Sequence, residues 1–80
     1  MTPYLLAASG VALFGDEWRR PLAAALGVDP RLMQRWAAGQ RDIPPSVAPA
    51  LLALLGREAF GLEGRVLALR RAAAAIAEAE

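Results

Sequence analysis

Apolar residues recur along this chain at spacings of three and four, and glycines and prolines divide them into short runs. That spacing places apolar side chains on one side of a helix, so the pattern predicts an all-α fold. Thr2-Pro3 and Asp29-Pro30 each pair a capping side chain with a proline suited to the first helical position. We predict a compact domain of four or five helices, over 3–14, from 17–21 to 26, 30–38, about 46–56 and 65–78.

The first predicted helix, 3–14, is apolar nearly all round, with Ser9 as its only interior polar residue. Such a helix is expected to be buried on more than one side, as a central helix or at a subunit interface. We expect Ser9 to bond to its own helical turn, Asp16 to cap the second helix and Trp18 to wedge between the two helices. The run is too short to span a bilayer and lacks the cationic start of a signal peptide, so a cytoplasmic protein is expected.

The composition excludes most kinds of catalytic and metal-binding site. All nine basic residues are arginine, and the chain contains no lysine, histidine or cysteine. The usual zinc sites, disulfides and histidine-activated nucleophiles are therefore excluded. We expect no enzyme, no catalytic residue, no metal and no cofactor.

The most informative stretch runs from Arg19 to Gly39, where two short helices are joined by a turn containing glycine. This is the helix-turn-helix arrangement, whose second helix enters the DNA major groove. A small residue is needed where the helices cross, and a residue that tolerates positive φ is needed in the turn. The predicted core of the motif comprises Leu22, Ala23, Leu26, Gly27, Val28, Met33 and Trp36. Within it, Trp36 is expected to pack inside rather than to stack on bases.

The string PLAAALGVDPRLMQRWAAGQ, residues 21–40, resembles the lambda-repressor-like and Cro-like helix-turn-helix DNA-binding domains. The resemblance continues through Ile43-Pro44-Pro45 into the following helix, and Gly15 and Trp18 are similar to a group of small bacterial regulators. It covers about residues 15–55. It implies a lambda-repressor-like fold and a bacterial or phage transcriptional regulator, such as a repressor. Such a protein binds double-stranded DNA in the nucleoid through a recognition helix at about 30–38.

The chain departs from this family at the start of the recognition helix. Members commonly carry Gln, Ser or Thr at the first base-reading positions, whereas this sequence has Asp29-Pro30. Base reading is therefore expected to shift to Arg31, Gln34 and Arg35, because arginine suits guanine and glutamine suits adenine. The alternative is that the two arginines form a solvated face, with one of them paired to Asp29.

Phosphate contacts are expected on both sides of the recognition helix. The candidates are Arg19, Arg20, Gln40 and Arg41. For the first two, pairing with Asp16 and Glu17 remains an equal alternative. The formal net charge is only +1, but five of the nine arginines lie between residues 19 and 41.

Palindromic sites require two reading heads, so we expect a homodimer. We assign residues 1–60 to the DNA-binding domain and residues 61–80 to a C-terminal helix, a possible dimerisation element. The alternative function is a protein-interaction module on the same scaffold, antitoxin-like or a phage-encoded partner protein. The small net charge favours that alternative, because it attracts DNA weakly over distance. An amphipathic membrane-associated peptide over residues 4–14 is a third reading, which we set below both.

Overall fold

Four α-helices form the fold in the computed structural model, which describes residues 1–79. They are α1 (Pro3–Phe14), α2 (Arg19–Leu26), α3 (Pro30–Ala37) and α4 (Val47–Ala79). No strand occurs in this part of the chain, so the all-α prediction is confirmed. No described helix is both long enough and apolar enough to cross a membrane.

The ends of α1 follow the local sequence signals. Thr2 Oγ1 accepts a hydrogen bond from the Leu5 N–H at 3.2 Å, and Gly15 ends the helix with φ of 82°. Ser9 Oγ donates to the Leu5 carbonyl oxygen at 2.8 Å, as predicted. The cap assigned to Asp16 is wrong, because α2 begins at Arg19 with Trp18 as its N-cap. Pro21 then falls within the first turn, where its missing N–H is tolerated.

A single core cluster draws on every helix. Its buried members are Leu6, Trp18, Leu22, Ala23, Met33, Trp36, Val47 and Leu51. Trp18 is the wedge that the sequence predicts. Its ring packs directly over Gly10 of α1, so closely that a β-carbon at Gly10 would overlap it. This close approach brings α1 and α2 together.

The expectation that α1 is a central helix, buried on more than one side within one copy of the chain, is wrong. Only Leu6 and Gly10 of this helix are buried, although it contacts all three other helices. Those helices all lie on one side of α1. The opposite side therefore exposes large apolar side chains, namely Tyr4, Leu5, Val11 and Phe14. A central helix is ruled out, and the subunit-interface alternative stays a prediction.

The predicted break between two C-terminal helices is also wrong, since α4 is one continuous helix of 33 residues. Gly56, Gly61 and Gly64 each disfavour a helix by only about 1 kcal/mol, and strong helix formers surround them. Every residue from 56 to 78 is exposed. The radius of gyration is 17.1 Å, whereas a compact chain of this length has about 12 Å. The compact body therefore ends near residue 55, and the rest of α4 projects from it.

The packing of Trp18 on Gly10 generates a stability prediction. Gly10→Ala places a methyl group inside the space of the buried ring, and overpacking of this kind destabilises by about 1–3 kcal/mol. We expect a lower unfolding free energy in urea titrations followed by circular dichroism. Gly64→Ala is the matched control, because nothing lies within 4 Å of its added carbon. That control should gain roughly 1 kcal/mol, and equal effects of both substitutions would contradict the close contact.

Candidate nucleic-acid interface

A three-residue turn, 27–29, joins α2 to α3. Gly27 adopts the left-handed conformation, with φ of 71° and ψ of 33°. The Gly27 N–H donates to the Ala24 carbonyl at 3.2 Å, and the Val28 N–H donates to the Ala23 carbonyl at 2.9 Å. These bonds end α2 and fix the direction in which the chain leaves it. Ala23 itself is fully buried in the core that α2 and α3 share.

The ends of α3 are equally well defined. Asp29 is the N-cap, and its Oδ1 accepts the Arg31 N–H at 2.7 Å. Pro30 follows as the first helical residue. At the other end Gly39 has φ of 75°, and the Gln40 N–H donates to the Arg35 carbonyl at 2.9 Å. The helix is therefore held rigidly at both termini.

The predicted core residues of this segment lie as follows. Leu22, Ala23, Met33 and Trp36 are buried, Leu26 and Val28 are half-buried, and Gly27 is an exposed turn residue. Trp36 is buried among the apolar side chains of the core, as predicted. The inner face of α3 is thus committed to the core.

The three predicted base-contact residues share the opposite face of α3. Arg31, Gln34 and Arg35 are all exposed. Residues three and four apart in a helix are surface neighbours, so the two guanidinium groups and the amide form one patch. We call these three residues the reading patch.

Ion pairing leaves the reading patch available. Arg31 Nε lies 3.9 Å from Asp29 Oδ1, with the two side chains 89% and 61% exposed. A pair this long and this solvated contributes little. Arg35 has no carboxylate within ion-pair distance among residues 1–79. The predicted pairing of one arginine with Asp29 therefore exists for Arg31, but at 3.9 Å it lies at the outer limit of a salt bridge.

A shallow groove connects the reading patch to the start of α2. Its lining residues are Asp16, Glu17, Arg19, Arg20, Pro21 and Gln34. Across the described residues, neither arginine forms an ion pair with the two neighbouring carboxylates. The N-cap of α2 supplies no side-chain hydrogen bond, so the first-turn N–H groups of this helix lack a side-chain cap. The groove therefore sets two exposed arginines and two exposed carboxylates beside the N-terminus of α2.

Arg19 also has a role that the sequence did not reveal. Its guanidinium carbon lies 4.9 Å from the centroid of the Trp18 ring, a cation–π distance. The only sequence signal for this contact is that Trp18 and Arg19 are adjacent, and adjacency does not specify a stacked geometry. The predicted ion pairs of Asp16 and Glu17 with the two arginines are absent from the described residues, and both carboxylates line the groove instead.

Gln40 and Arg41 are exposed and follow the C-terminus of α3. The bond from the Gln40 N–H to the Arg35 carbonyl keeps them within a turn of the reading patch. The structure thus brings Arg19 and Arg20 to one side of Gln34, and Gln40 and Arg41 to the end beyond Arg35. Within residues 1–79 no cluster of three or more acidic, histidine or cysteine side chains could hold a metal.

Comparison with models of known protein families, with curated proteins and with solved structures yields no match to this chain. The resemblance to the lambda-repressor-like domains therefore depends on the residues quoted for it.

The Asp29 cap yields the second prediction. Asp29→Ala removes the hydrogen bond to the Arg31 N–H, and loss of an N-cap destabilises by about 0.5–2 kcal/mol. Asp29→Asn keeps an acceptor oxygen at the same place and should retain most of the stability. Thermal unfolding of the two variants measures the difference, and equal melting temperatures for Ala and Asn would contradict the capping role.

Proposed function

We propose that this chain is a sequence-specific double-stranded DNA-binding transcriptional regulator in which α2 and α3 form a helix-turn-helix. The observation that carries the proposal is the reading patch. It lies on the exposed face of a short, doubly capped helix whose other face is locked into the core. A rigid helix of this kind fits the major groove, which is wide enough to admit it.

The reading patch has the chemistry for direct base recognition. An arginine fork donates two hydrogen bonds to O6 and N7 of guanine, and a glutamine amide pairs in the same way with adenine. Arg31 and Arg35 are one turn apart, so they reach bases at different levels of the groove. Pro30 contributes neither a side-chain donor nor an N–H, which leaves Arg31 as the first reading residue.

Phosphate contacts frame the patch on two sides. Arg19 and Arg20 lie at the start of α2, where no side chain caps the first-turn N–H groups. Gln40 and Arg41 lie beyond the C-terminus of α3. At the α3 N-terminus, by contrast, the Asp29 carboxylate occupies the place that a phosphate would take. We infer that the backbone of the DNA is held at α2 and at the loop after α3.

A homodimer completes the proposed regulator. One reading patch of three side chains specifies few base pairs, and a two-fold symmetric protein doubles the recognised sequence on a palindromic site. Repression is the mode that the family resemblance favours.

A protein-interaction module is the second candidate. The observation that favours it is the apolar outer side of α1, where Tyr4 and Leu5 are 79% and 51% exposed. Exposed apolar patches of this kind commonly mark protein contacts. In this case the partner would cover α1 and leave the reading patch without a role.

Selection from a random duplex library, followed by anisotropy titrations across salt concentrations, tests the primary proposal. Arg35→Ala should weaken the selected site by about 1–3 kcal/mol and relax preference at one base position. Arg41→Ala should weaken all sequences alike and reduce the salt slope by about 1. Arg71→Ala, an exposed arginine on the projecting part of α4, is the matched control and should leave binding unchanged.

The proposal fails if the chain selects no sequence and binds no duplex at low salt. It also fails if Arg35→Ala and Arg71→Ala have the same effect on the selected site. Unchanged DNA affinity after substitution of the reading patch, combined with a protein complex that Tyr4→Asp disrupts, would establish the second candidate instead.

A further inference from the structure

The chain exposes more surface than a monomer of its size should. Its accessible surface is 5977 Å², whereas a compact protein of this mass exposes about 4,700 Å². The excess of about 1,300 Å² exceeds the roughly 800 Å² that each partner buries in a standard interface. On the projecting part of α4, residues 56–78 are all exposed.

The apolar residues of α4 follow a heptad repeat. Leu55, Leu62, Leu69 and Ile76 are each seven residues apart, and Leu52, Ala59, Val66 and Ala73 form a second series three residues ahead of them. In a heptad written a to g, the second series occupies every a position and the first occupies every d position. An unbroken apolar a/d series over this length is the pattern of a helix that pairs with another helix. We call these eight residues the seam.

We propose that the seam pairs with the seam of a second copy of this chain, with the two α4 helices antiparallel. The inference takes from the proposed function only the expectation of a homodimer. The first argument for this orientation is residue size. In a parallel, in-register pair Ala59 would face Ala59 and Ala73 would face Ala73, which leaves two underfilled layers. In an antiparallel pair each a residue faces a d residue, so Ala59, the one alanine of the seam between residues 52 and 69, meets a leucine.

The flanking charges give the second argument. Glu58 and Arg65 occupy successive g positions, and Glu63 and Arg70 occupy successive e positions. In a parallel pair g faces the next e of the partner, which would set glutamate against glutamate and arginine against arginine. In an antiparallel pair g faces g, and Glu58 of one copy comes opposite Arg65 of the other. That contact replaces the exposed 3.8 Å ion pair that Arg65 and Glu58 make with each other within one copy. Charges at e and g select helix orientation in this way.

That charge match also fixes a register. When Glu58 faces Arg65, Ala59 faces Leu62, Leu55 faces Val66, and Leu52 faces Leu69. The C-terminal turns of the partner then run over an apolar groove between α1 and the start of α4. This groove is lined by Met1, Leu5, Ser9, Ala48, Leu51, Leu52 and Leu55. The pairing therefore covers part of the exposed side of α1 as well.

The register places the two bodies at opposite ends of the helix pair. With a rise of 1.5 Å per residue, the two Leu51 positions are separated by about 30 Å along the axis. That separation is of the same order as one turn of DNA, the usual spacing between half-sites.

Disulfide trapping tests the orientation and the register, because the chain has no cysteine of its own. Leu52→Cys and Leu69→Cys are prepared as separate proteins and oxidised alone and mixed. We expect the mixture to form a covalent dimer and each variant alone to form only traces. Leu67→Cys mixed with Leu52→Cys is the control, since Leu67 lies about 130° from the centre of the seam. Rapid self-linking of either Leu52→Cys or Leu69→Cys would show a parallel pair and overturn the proposal.

Sedimentation equilibrium of the full chain, without DNA, tests whether the seam forms the dimer. Leu62→Asp should raise the dimer dissociation constant about a hundredfold or more, because two buried leucines are lost per dimer. Leu67→Asp should leave it unchanged, and circular dichroism verifies that both variants stay helical. A wild-type monomer, or a dimer broken by Leu67→Asp instead, overturns the inference. A dimer that binds no DNA would contradict the proposed function alone, and a monomer that binds DNA specifically would contradict this inference alone.

Discussion

The contact between the Trp18 ring and Gly10 is the constraint on which the body of this protein depends. The bulky side chain belongs to the residue that caps α2, and it packs where Gly10 leaves α1 without a side chain. Their contact fixes α1 against α2, and α2 in turn positions α3 through the turn at Gly27. The orientation of the reading patch thus depends on a packing contact between α1 and the residue that begins α2.

Much of the body could be predicted from the sequence, because its signals are local. A capping side chain followed by proline marks the start of α1 and α3, and a glycine with positive φ marks the end of α1 and α2. Each of these signals acts within one turn of the backbone. Apolar spacing likewise indicated which residues of α2 and α3 turn inward. The N-cap of α2 could not be predicted, because Asp16 has the side-chain acceptor that a cap usually needs. Trp18 takes the N-cap position without a capping hydrogen bond, and its ring packs on Gly10.

The errors concern burial and continuity, which depend on more than the local sequence. The composition of α1 predicts burial on several sides, but a chain this short has too few elements to surround it. The glycines of α4 predict helix ends, but a glycine only weakens a helix when no capping residue or proline accompanies it. The stacking of Arg19 on Trp18 could not be predicted from the sequence either, because the side chains of adjacent residues often point in different directions.

Two helices, α1 and α4, carry more apolar surface than a single copy of the body covers. On α4 the eight residues of the seam are ordered in heptads, and the flanking charges distinguish one orientation of a second copy from the other. On α1 the groove beside Leu5 opens next to the first residues of the seam. The proposed antiparallel pairing would account for the length of α4 and would cover part of the exposed side of α1. It leaves the reading patch uncovered, because the patch lies on α3, which contributes no residue to the seam or to the groove.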